Sequence, residues 1–172
     1  MAASIQEAKL TGFPACVPRS EARVQAYKEA FEENHDRVYL LAFRMTGNEV
    51  AAEEVMVSSF CRAFATSAAP DAEGIDRALI TELRELMPIG VLTLASAPCT
   101  QVVSLRRNVK RLELEAAVNQ LPPSERLVFL FHDVEGYDHA RIARTLGIDE
   151  EESAQGLHQA RLRIREILAT AA

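Results

Sequence analysis

Between Ser20 and Met45 apolar side chains recur every three or four residues, at Val24, Tyr27, Phe31, Val38, Leu41, Ala42 and Met45. That is the spacing of one buried helix face. Ser20 suits an N-cap and Gly47 a stop. The pattern resumes from Val50 to Ala65, through Ala52, Val55, Met56, Phe60, Ala63 and Phe64. The short Thr-Gly-Asn connection predicts that the two helices lie antiparallel, as in a bundle. A third helix is expected from Ile75 to Leu86, with Ile75, Leu79, Leu83 and Leu86 on one face and a break near Pro88. The run IGVLTLAS that follows fits either more helix or an apolar loop.

The segment APCTQVVS reads as a linker, and helical spacing returns at Leu112, Leu114, Ala117, Val118 and Leu121. Pro123 fits the first turn of the next helix, which passes through Leu127, Val128, Leu130, Phe131 and Val134 and stops at Gly136. Asp138 then caps a short helix with Ile142, Ala143 and Leu146. Gly147 makes a tight turn, and Asp149 caps a long last helix through Leu157, Ala160, Ile164, Ile167 and Leu168. Short helix, glycine turn, long helix is the outline of a helix-turn-helix. The expected architecture is all-α, with two small helical domains: a first unit over 20–95, a linker over 96–108 and a helix-turn-helix unit over 109–170.

Composition agrees, since Gly and Pro number only 7 each in 172 residues. The formal net charge of −6 opposes the electrostatic footprint of a stand-alone nucleic-acid binder. Cys16, Cys61 and Cys99 form no C-x-x-C pair and no complete disulfide framework, which fits a reducing cytoplasm. The first residues lack a basic leader with an apolar run, and the apolar stretch from Val91 to Ala97 is too short to span a bilayer. A cytoplasmic protein with no membrane attachment is expected.

Two stretches carry a resemblance. LPPSERLVFLFHDVEGYDHARIARTLGI, followed by LHQARLRIREIL, closely resembles the promoter-reading C-terminal domain of bacterial extracytoplasmic-function sigma factors. The family pattern runs LPP-x-x-R, D-V-E-G, I-A-x-x-L-G-I and A-R-x-x-L. HDRVYLLAFRMTGN and AAEEVMVSSFCRAF resemble the family's two helices that bind core RNA polymerase. The resemblance implies a transcription-initiation protein whose partners are core RNA polymerase, an anti-sigma factor, or both, together with promoter DNA. It implies polymerase or anti-sigma contacts at Glu53, Glu54, Val57, Ser58 and Arg62. It implies DNA contacts at Arg141, Arg144, Gln155, His158, Gln159, Arg161, Arg163 and Arg165.

The departures from the family cluster at contact positions. Val57-Ser58 replaces the family's Gln-Glu. The last helix carries Ala154-Gln155-Gly156 where the family has Lys-Ser-Arg, and Gln159 where it has a further Arg. From Asp149 to Ala160 there are four acids and no Lys or Arg, a charge that repels phosphate at a helix start. Gly156 is expected to remove a side chain from the groove-facing surface. Between Phe64 and Phe129 there is no Phe, Tyr or Trp, although capture of an unpaired strand relies on aromatic stacking. Two mechanisms are therefore open. One is a divergent initiation factor; the other is a sigma mimic that binds an anti-sigma factor or another protein without melting DNA.

Other constellations point to no enzyme, metal or cofactor. Glu32-x-x-His35 has di-iron spacing, but the second such motif is missing. His132 and His139 lack ligands at zinc spacing and are expected at the surface. Cys61, among apolar neighbours, is expected in the core.

Overall fold

A computed structural model describes residues 20–89 and 109–170. The elements are α1 (Glu21–Thr46), α2 (Glu49–Thr66), α3 (Ala72–Leu86), α4 (Arg111–Asn119), α5 (Pro123–Phe129), α6 (His139–Leu146) and α7 (Glu150–Thr170), with a π-helical turn over Leu130–Val134 continuing α5. No strand occurs among the described residues. The expected linker, the IGVLTLAS run beyond Ile89, Cys16 and Cys99 lie outside the described residues.

Helices α1 to α3 pack on one another at the N-terminal end of the described chain. Gly47 takes the left-handed conformation (φ 66°) that side-chain-bearing residues avoid, and its N–H bonds the Phe43 carbonyl to close α1. Asn48 then caps α2 by accepting from the Ala51 N–H. The chain folds back so that Tyr27 stacks on Phe64 and Phe31 packs on Phe60, with ring centroids 4.3 and 4.9 Å apart. This pairing is that of antiparallel helices. The Tyr27 hydroxyl donates to the Phe64 carbonyl at 2.7 Å, satisfying one of the last carbonyls of α2. Asp71 caps α3, which buries Ile75, Leu79 and Leu83 as expected.

Helices α4 to α7 pack around Leu121, Leu127, Val128, Phe131, Ile142, Leu157, Ala160 and Leu168, in a buried core continuous with that of α1 to α3. The π turn arises where the Glu135 N–H reaches back five residues to the Leu130 carbonyl. It brings the Tyr137 ring onto Phe131, centroids 5.3 Å apart. Asp138 caps α6, and Gly147 (φ 69°) makes the tight turn into α7. Asp149 and Glu152 then form a reciprocal capping box: the Glu152 N–H donates to Asp149 Oδ1 at 2.7 Å and the Asp149 N–H donates to Glu152 Oε2 at 3.0 Å.

The core departs from the periodic reading at element margins. Val24, Leu86, Leu112, Leu114 and Val134 are exposed, and Phe31 stays 38% exposed although its ring packs on Phe60. Cys61 is exposed rather than internal, since it falls on the outer side of α2 one residue from buried Phe60. Ser20 precedes α1 without a side-chain capping bond.

Candidate nucleic-acid interface

The two helices of the helix-turn-helix present very different surroundings. In α7, Ser153, Gly156, Leu157, Ala160, Ile164 and Leu168 are buried, and Glu151, Ala154, His158, Arg161 and Arg165 form an exposed stripe. Gln155 and Gln159 are half-buried beside it. Gly156 therefore faces the core and not the groove-facing surface, because a one-residue offset along a helix turns a position by about 100°.

Two arginines of α7, Arg161 and Arg163, are engaged within the protein. Arg161 binds Asp133 with two N–H donors, at 2.6 and 3.0 Å. Those bonds hold the Asp133 carboxyl below its usual range. Arg163 pairs with Glu125 at 2.8 Å, yet burial pushes the Glu125 carboxyl up. His132 and His139 stack with centroids 4.8 Å apart, and His139 Nδ1 lies 2.9 Å from the Ser153 hydroxyl. The half-buried pair thus pins the start of α7 to the preceding turn.

Helix α6 packs on α3, leaving Arg144 exposed. At the centre lies Asp76, fully buried. Its Oδ1 accepts from Arg37 of α1. Its Oδ2 accepts from the Tyr137 hydroxyl and from Arg141, both at 3.0 Å. Arg37 also donates to the Tyr137 oxygen at 2.7 Å and to Asn34 Oδ1 at 2.9 Å. The Arg141 guanidinium lies over the Tyr137 ring, 3.6 Å from its centroid. Burial and the neighbouring Asp76 charge push the Tyr137 phenol up to about 12, so it remains a donor. One turn further along α6 and one turn back along α3, Arg144 approaches Glu73 at 3.7 Å. Arg84 donates to the Leu146 carbonyl at 2.7 Å, and Arg126, the arginine of LPP-x-x-R, reaches the Met45 carbonyl at 3.1 Å.

Sequence reasoning missed Arg37, Asp76 and Tyr137. An aspartate at a position flanked by Ile75 and Leu79 was one signal that a carboxylate had to find buried partners. On the other domain, Glu53, Glu54 and Val57 lie exposed together on α2, with Ser58 half-buried beside them. Arg62 lies on the same helix but turns to Glu82 and Glu85 of α3, at 2.5 and 3.0 Å.

No group of three metal-ligating side chains, and no helix long and apolar enough to cross a membrane, occurs among the described residues. Residues 111–164 match the family described as sigma-70, region 4. The chain is 27% identical over 164 residues to the ECF RNA polymerase sigma factor SigE of Mycolicibacterium smegmatis, covering 87% of this chain and 64% of that relative. It thus spans less than two thirds of the relative's length. It also matches the sigma factor RpoE solved in complex with the anti-sigma factor NepR from Bartonella quintana, with a TM-score of 0.65 and 14% identity, over 86% of this chain and 99% of that one. The likeness to RpoE is one of fold. The sigma-70 region 4 match thus falls on the short-helix, glycine-turn, long-helix arrangement of α4 to α7. Over most of its length the chain is similar to an extracytoplasmic-function sigma factor.

Proposed function

We propose that the protein acts in transcription initiation as a sigma-factor-like protein, binding core RNA polymerase through the N-terminal domain and promoter DNA through α6 and α7. It does so as a cytoplasmic binding protein, without catalysis of its own. The observation that carries this reading is the agreement of the region 4 match over 111–164 with a complete helix-turn-helix whose exposed stripe includes His158, Arg161 and Arg165. Gln155, Gln159 and Arg163 flank that stripe, while Arg141 and Arg144 lie one element earlier, on α6. Glu53, Glu54, Val57, Ser58 and Arg62 are proposed as the contact surface for polymerase or an anti-sigma factor. Co-purification of the full chain with core polymerase, followed by transcription from host promoter DNA, tests this reading. Failure of both would refute it.

A second reading is a sigma mimic that binds an anti-sigma factor without opening DNA. It is favoured by the engagement of Arg141, Arg144, Arg161 and Arg163 with internal carboxylates. Recovery of a small anti-sigma protein in place of polymerase would select it.

A further inference from the structure

The contact between α3 and α6 joins the N-terminal domain to the helix-turn-helix by groups that a DNA backbone would otherwise address. Glu73 and Asp76 are three residues apart on α3, and Arg141 and Arg144 are three apart on α6. Residues at this spacing lie on one face of a helix, so two carboxylates meet two guanidiniums in register. We propose that α3 is an internal competitor for the DNA backbone, with Asp76 and Glu73 occupying Arg141 and Arg144 and holding the helix-turn-helix closed against the N-terminal domain. This rests on the reading of α6 as part of a DNA-binding surface.

Three features make the contact a latch. Both Asp76 oxygens are used, and their three donors come from both domains: Arg37 from the N-terminal domain, Tyr137 and Arg141 from the C-terminal one. Charge-assisted bonds of this kind are the strong ones, and guanidinium binds carboxylate and phosphate by the same planar fork. Tyr137 fixes the Arg141 guanidinium from beneath, so that group is already oriented toward an anion. The other end of α6 is tied as well, through Arg84 and the Leu146 carbonyl. The pair of exposed Arg144 with half-buried Glu73 is more open to screening by salt than the buried Asp76. While α3 is docked, Arg141 is held by Asp76 and Arg144 by Glu73, so a duplex meets neither as a free guanidinium. Binding through α6 therefore requires the domains to part.

The test uses the full chain carrying Asp76→Asn with Glu73→Gln. Removing both charges leaves Arg37 and Arg141 close together without the Asp76 carboxylate between them, while Glu135 still feels both guanidiniums. Small-angle scattering should show an expanded molecule, and fluorescence anisotropy with a short generic duplex should show affinity raised about tenfold over wild type, as freed arginines neutralise phosphates. Unchanged dimensions would overturn the latch, and expansion without any gain in affinity would overturn the competition. If circular dichroism shows that Asp76→Asn loses helix, Glu73→Gln with Arg84→Ala, both outside the buried cluster, provides the same two readouts. The initiation reading stands or falls separately, on whether the wild-type chain binds core polymerase. A chain that does not, but whose variants still expand and gain affinity, would retain the latch and lose that reading.

Discussion

Asp133 is a carboxylate beside α7 whose partners lie within the protein. Arg161 bonds it twice and His132 approaches at 2.8 Å, and its pKa falls below the ordinary 3.8. A group depressed on folding stabilises the protein above its unfolded pKa, and that contribution is lost as pH falls through the lower folded value. Asp133→Asn should therefore lower the denaturation midpoint at pH 7, and the difference from wild type should vanish under acid conditions below the folded pKa. Chemical denaturation at a series of pH values measures this, and a difference that persists in acid would contradict it. Glu125 has the opposite sign, because burial raises its pKa above 4.5 and its ionisation disfavours the folded state as pH rises. Phe60 belongs to the apolar side of the same scale. It is 3% exposed and packs between Phe31 and Phe64, so Phe60→Ala should cost about 3 to 5 kcal/mol, read from the urea midpoint.

At the level of elements, α7 divides into positions that can acquire a DNA contact and positions that cannot. Ala154 is exposed and Gly156 is buried. Ala154→Lys should raise affinity for duplex DNA about uniformly across sequences while leaving the melting curve in place. Gly156→Arg should instead destabilise the domain, since a guanidinium would be forced into the packed interior near Leu157 and Ala160. Paired thermal melts and salt-dependent binding isotherms distinguish the two variants. The same helix shows what the sequence makes legible. Its cap at Asp149, its turn at Gly147 and its buried Leu157, Ala160, Ile164 and Leu168 follow from local capping chemistry and period. Which face Gly156 occupies does not, because glycine carries no hydropathic signal. The partners of Asp76 were equally hidden: they lie 39, 61 and 65 residues away, on elements whose docking no local pattern specifies.

For the whole molecule, the net charge of −6 and the internal pairing of arginines act in the same direction. Arg141, Arg144, Arg161 and Arg163 each meet a carboxylate within the chain, and the acidic start of α7 keeps Glu150 and Glu151 exposed. A protein that neutralises few phosphates releases few counterions, so its affinity falls slowly with salt. The wild-type chain alone should bind duplex DNA weakly and with a shallow salt slope, and titrations at two ionic strengths read both quantities. Sub-micromolar affinity with a steep slope would show that these pairs open at little cost. In an initiation factor, core polymerase would have to supply what the isolated chain lacks. Addition of core polymerase should therefore recruit the chain to promoter DNA, and charge reversal at Arg161 and Arg163 should weaken that complex across all promoters alike. Each reversal also places two carboxylates together, at Asp133 and Glu125, so a thermal melt must accompany the binding assay. If the variants remain folded and recruitment is unchanged, α7 does not hold DNA in the complex, and the mimic reading gains the helix.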